Sequence, residues 1–208
     1  MEMRPQEEHD GTPLLGGRDT GRERTSENGQ AEEEPDELDE FALALLRGMF
    51  KNEEVWVGAV RDAGSILRID VRNDPLYKKV RALDFVRWSN IGMEGKVIVA
   101  HLVAAIFEMA PEQVMGRPVP HINLEEAKRN VAKSVLCTAF SGREFRAIRV
   151  KKAGTLMGFN VREREEYKRI KACDNVKWAD VSPSSRRRLA RIVGKMFAVE
   201  GDVVMGDY

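Results

Sequence analysis

Cysteine is nearly absent: Cys137 and Cys173 stand far apart and outside any CxxC pair. That excludes a disulfide framework and a cysteine-based zinc site and points to a reducing compartment. Histidine offers no metal site either, because His9, His101 and His121 are scattered over different segments, and His101 reads as a core residue. Aromatic residues make up only 7% of the chain, too few for a broad base-stacking surface, and specific base readout is disfavoured. A basic-then-apolar leader is missing. The longest apolar stretch, residues 97–110, is interrupted by His101 and Glu108 and is too short to span a bilayer.

Net charge is also lacking, since 34 basic residues balance 34 acidic ones over 208 positions. The balance hides a division. Residues 1–40 hold 14 acidic and 4 basic groups, net −10, which leaves 20 acidic and 30 basic groups, net +10, for the remainder. Residues 1–35 are rich in Gly, Glu, Arg and Thr, with Leu14 and Leu15 as their large aliphatic residues. Burial there cannot offset the entropy of ordering, so this acidic arm is expected to be disordered. A single basic domain is expected over residues 36–200, followed by a C-terminal tail, 201–208. The arm's negative charge is placed to compete with external anions for the basic domain.

Five helices and two hairpins are expected in the domain. Asp36 can cap a helix carrying Leu38, Phe41, Ala42, Leu45, Leu46 and Met49 at 3.6 spacing. Leu67, Ile69 and Val71 alternate with charged residues, and residues 55–60 with the turn Asp62-Ala63-Gly64 complete a first β-hairpin. Helices follow from Asp74-Pro75, from Glu94 and from Asn123. Residues 145–151 and 155–161 around Lys152-Ala153-Gly154 suggest a second hairpin, and Ser182-Pro183 opens a last, strongly basic helix. The expected fold class is α+β, a small antiparallel sheet from two hairpins packed by helices, with no internal repeat beyond those hairpins.

No catalytic constellation emerges, and no cofactor is called for. Neither cysteine has an adjacent base or a motif that would activate it. Residues 90–97 resemble a phosphate loop, but Asn90 replaces the first glycine and Val97 the magnesium-binding hydroxyl. Basic residues carry more information. Arg143, Arg146, Arg149, Lys151 and Lys152 form one cluster, and Arg186, Arg187, Arg188, Arg191 and Lys195 a second. Both are candidate contacts for RNA, a nucleocapsid or an anionic lipid surface bound peripherally. Ser185-Arg186-Arg187-Arg188 also resembles a nuclear import signal, and Leu38, Phe41 and Leu45 an export helix.

Ile69-Asp70-Val71-Arg72-Asn73, then Trp88, then Ile91-Gly92-Met93-Glu94-Gly95-Lys96 follow an order that resembles rhabdovirus matrix proteins. The similarity continues at Trp178, the serines after it, and Val199-Glu200. The resemblance covers about a third of the chain. It implies a non-enzymatic structural protein that self-associates and bridges ribonucleocapsid to the inner face of an envelope. The implied location is the virion and the host cytoplasm or inner membrane face, with a nuclear phase possible. The arm departs from the family pattern in lacking PPxY and PTAP motifs and in being acidic. The alternative reading is an RNA-binding accessory or coat protein without sequence specificity.

Overall fold

The computed structural model describes residues 37–206, so the expected arm, the Asp36 cap and the last two residues lie outside the described residues. Among the described residues ten α-helices occur in order: α1 Glu37–Met49, α2 Gly58–Ile66, α3 Pro75–Ala82, α4 Trp88–Phe107, α5 Pro111–Met115, α6 Leu124–Cys137, α7 Ala147–Met157, α8 Glu165–Lys171, α9 Pro183–Phe197 and α10 Gly201–Met205. Helix makes up 66% and strand 2%, with no sheet among the described residues. The α+β expectation is therefore wrong. The extended pairing consists of two isolated antiparallel bridges, Glu54 with Arg87 and Glu144 with Lys177. Residues 201–205, expected in a tail, form α10.

Both expected hairpins are helices crossed by an extended segment. Ala59, Val60, Ala63 and Gly64 are buried along α2, a helical spacing rather than an alternating one. Gly64 makes no turn. A Cβ there would stand 2.8 Å from Val71 Cγ1 and 2.9 Å from the Ile69 carbonyl oxygen, so the glycine lets residues 67–71 cross directly over the helix. Gly154 does the same in α7, where a Cβ would meet Val161 Cγ1 at 2.4 Å and the Phe159 carbonyl at 3.1 Å. The alternation at Leu67, Ile69 and Val71 belongs to this crossing segment, in which Val71 is buried and Ile69 is 40% exposed.

These two glycines are 90 positions apart, and the whole domain repeats at that interval without insertion or deletion, contrary to the expectation of no internal repeat. Phe50 matches Phe140, Ala63-Gly64 matches Ala153-Gly154, Tyr77-Lys78 matches Tyr167-Lys168, and Asp84, Trp88 and Phe107 match Asp174, Trp178 and Phe197. The backbone follows: φ is positive at Arg68 and Gly158, Phe85 and Asn175, Glu108 and Ala198, and Gly116 and Gly206. Trp88 stacks on Phe50 with centroids 5.5 Å apart, and Trp178 on Phe140 at 5.6 Å. A cation lies over each indole, Lys96 at 5.5 Å and Arg186 at 4.9 Å. Helices α1–α5 thus form one repeat and α6–α10 the other.

Local tethers are duplicated as well. The Val57 amide donates to Asp84 Oδ1 at 3.2 Å, and the Ala147 amide to Asp174 Oδ1 at 2.8 Å, each carboxylate holding the start of α2 or α7 against the loop before the tryptophan. Asp174→Ala removes the partner of a part-buried amide and is expected to destabilise by about 1–2 kcal/mol. Urea titration of the full chain measures it. The sequence-read caps elsewhere hold: Asp74 Oδ1 accepts from Leu76 at 2.5 Å, Asn123 Oδ1 from Glu125 and Glu126 at 3.1 and 3.2 Å, and Ser182 Oγ from Ser185 at 3.2 Å.

The repeats meet where α4 packs on α6 and α3 on α7. Helix α4 is long and apolar enough to cross a membrane by length and composition, but it is covered by α3, α5 and α6. Gly92, at φ 57° and ψ −156°, also breaks it near its start. Val97 and Ile98 are buried at this junction, 0% and 1% exposed. Their counterparts on α9 are Arg187 and Arg188, both exposed. One helix is apolar all round and its twin basic because one is enclosed between repeats, whereas no further repeat packs on the other among the described residues.

Candidate functional site

Packing of α3 against α7 brings together cations that are distant in sequence. Lys78 and Arg81 from α3 face Ile148, Lys151, Lys152 and Thr155 from α7 across a groove of 440 Å³. A second groove of 460 Å³ shares Ile148 and Lys151 and adds Arg162, Tyr167, Lys168, Lys171 and Asp174. The two form one path over α3, α7 and α8 with seven cationic side chains. Asp174, the one carboxylate in the lining, is already bonded to the Ala147 amide.

The electrostatics of this path are unbalanced. Burial holds Lys151 below the usual lysine range, and Arg162 and Arg81 add repulsion. Lys152 is lowered first by burial and then by Arg149 and Arg81, while Asp84 acts in the opposite sense. Its Nζ donates to the Asp84 carbonyl at 2.9 Å, so its position is fixed without a neutralising ion pair. Like charges on both walls of a cleft leave a site whose field favours an entering anion. Phe85, next in the chain to the Asp84 carbonyl that accepts from Lys152, is 62% exposed at φ 58°. That backbone is unfavourable for a bulky residue, and repeat 2 has an asparagine there, which tolerates it better.

The two clusters expected from sequence are redistributed. Lys151 and Lys152 line the groove, and Arg149 is half-buried close by. Arg146 is engaged with Glu144 and with Asn175, whose Oδ1 accepts its Nη1 at 2.9 Å. Arg143 is exposed in the loop after α6, where its carbonyl accepts the Trp178 amide at 3.0 Å. Arg186 is structural, half-buried over Trp178 with Nη2 donating to the Phe140 carbonyl at 2.8 Å. Arg187, Arg188, Arg191 and Lys195 are exposed on α9. Sequence reasoning missed Lys78, Arg81, Arg162, Lys168 and Lys171. The pairing of Lys78 with Lys168 at the 90-residue interval is the signal that could have found them.

Cys137 is half-buried, with burial raising its thiol above the usual range and Sγ donating to the Val203 carbonyl at 3.1 Å. That environment stabilises the protonated thiol rather than a nucleophilic thiolate. No protein-family model, curated protein or solved structure matches the chain.

Proposed function

We propose that this is a non-enzymatic nucleic-acid-binding structural protein that holds a phosphate backbone in the groove over α3, α7 and α8. The observation that carries the reading is the set of seven cations lining this path: Lys168 pairs with Glu165, while the recessed Lys151 and Lys152 make no ion pair with a carboxylate among the described residues. An extended strand of phosphates can enter a concave path of this kind, whereas a planar bilayer meets only its rim. Backbone contacts of this type bind without reading sequence. Phe85 adds an open ring face on which one base can stack.

Ribonucleocapsid is the partner that the matrix resemblance implies, and it carries the same phosphate chemistry. The resemblance covers about a third of the chain, so the groove supports the proposal and the resemblance adds the virion setting alone.

A salt series with single-stranded RNA tests the reading beside flotation with phosphatidylserine vesicles. Engagement of about four phosphates gives a log–log slope near −3. Phe85→Asn, the residue repeat 2 already carries, is expected to weaken single-strand binding by about 5- to 10-fold while leaving the salt slope unchanged. Flotation without RNA binding would instead assign the groove to lipid, and binding to neither would refute the proposal.

A further inference from the structure

The junction between the repeats is open at both ends of the domain. In repeat 1, Leu83, Val86, Trp88, Ile91 and Leu102 are buried, enclosed where α3 and α4 receive α6 and α7. Their counterparts Cys173, Val176, Trp178, Val181 and Ile192 are partly exposed and line an apolar pocket of 190 Å³ whose edge carries Arg186 and Arg188. Trp178 Nε1 has no hydrogen-bond partner there, while Trp88 Nε1 donates to the Met49 carbonyl at 3.3 Å. At the other end of the domain, Val131 and Val135 of α6 are buried at 1% and 0%, whereas their counterparts on α1 are Phe41, 66% exposed, and the half-buried Leu45.

We propose that a second copy of this chain fills the pocket, α1 and α2 of one molecule docking on α9 and α8 of another as α6 and α7 dock on α4 and α3 within each molecule. Charge supports this pairing. Asp39 and Glu40 precede Phe41 on α1, and Arg188 lines the pocket on α9, where Arg187 and Arg191 are also exposed. In the internal junction, Asn130 Nδ2 donates to Glu94 Oε1 at 3.3 Å. The corresponding residues between copies are Glu40 and Ser184, which places the Glu40 carboxylate one helical turn from Arg188. Phe41 then enters the pocket where Val131 is buried in the internal junction.

Such an interface is heterologous: each copy uses one face to give and a different face to receive, so association continues to a ring or a filament rather than stopping at a dimer. The arginines at positions that α4 fills with Val97 and Ile98 make the outer junction weaker than the inner one and dependent on salt.

Sedimentation of the full chain over a concentration series tests the proposal. Wild-type mass is expected to rise past that of a dimer, and to fall when salt is added. Phe41→Asp and Arg188→Glu change exposed residues and are expected to give folded monomers, checked by circular dichroism. Mixed in equal amounts, these two variants retain one intact pair of faces between them and are expected to form a 1:1 dimer and nothing larger. A wild-type chain that stays monomeric to ~100 μM, or a closed dimer indifferent to Phe41→Asp, would overturn the proposal. A single self-complementary face would leave the mixture monomeric, which also overturns it.

Discussion

Replacing Ile98 by the arginine that its counterpart carries is expected to lower stability by about 3–5 kcal/mol, a large fraction of what a domain of this size holds. Ile98 is 1% exposed between α4 and α6, with Val97 and Val99 at 0% beside it, and no carboxylate is buried there to receive a guanidinium. The charge must stay unpaired or force the helices apart. For a chain of this length the melting temperature should fall by roughly 10 °C. The reciprocal change, Arg188→Ile, removes an exposed charge and is expected to leave the melting curve within about 0.5 kcal/mol of wild type. It also enlarges the apolar surface formed by Leu189 and Ile192 and should strengthen self-association. The pair isolates environment from sequence, because the same two residues are exchanged at matched positions of the two repeats. If Ile98→Arg melted like the wild type, α4 would not be enclosed by the second repeat.

The helices that begin at Asp74-Pro75, Asn123 and Ser182-Pro183 were legible because a side-chain oxygen, and in two cases a proline, marks the first turn. The buried character of α4 was legible from its apolar run. Helices α2 and α7 were not, because an Ala-Gly pair in a polar context reads as a turn, whereas here the missing Cβ serves the close crossing of Val71 and Val161. The matched chemistry of those two apparent turns was the duplication showing through. It stayed hidden because the repeats diverge wherever their surroundings differ. Positions enclosed in one repeat and free in the other, such as Val97 and Arg187, have changed character, while positions with the same task in both, such as Trp88 and Trp178 or Asp84 and Asp174, have not. The groove was half legible. Lys151 and Lys152 are adjacent in sequence, but Lys78 and Arg81 join them only through the packing of α3 on α7, and no local pattern announces a contact across that separation. The cluster around Arg186 was overread, since one of its members is a half-buried stack on Trp178.

Reversing charge in the groove and on α9 separately is expected to give opposite results. Arg81→Glu, Lys151→Glu and Lys168→Glu together remove three of the seven cations along α3, α7 and α8 and put negative charge on the path of the strand. Losing about three phosphate contacts flattens the salt slope by about 2 and lowers affinity at low salt by a factor of about 100 or more. The fold should tolerate the change, because Arg81 and Lys168 are exposed, Lys151 is only half-buried, and the new carboxylates stand among the remaining cations of the path. Arg187→Glu, Arg188→Glu and Arg191→Glu carry the same formal change on an exposed helix with no concavity, and RNA affinity at physiological salt is expected to fall by no more than about threefold. Self-association should be lost in the second variant and kept in the first. The two faces would then be separable, with polyanion binding seated where the repeats join and assembly seated on α9. Equal losses of RNA binding in both variants would mean that net charge alone governs attachment and that the groove has no special part in it.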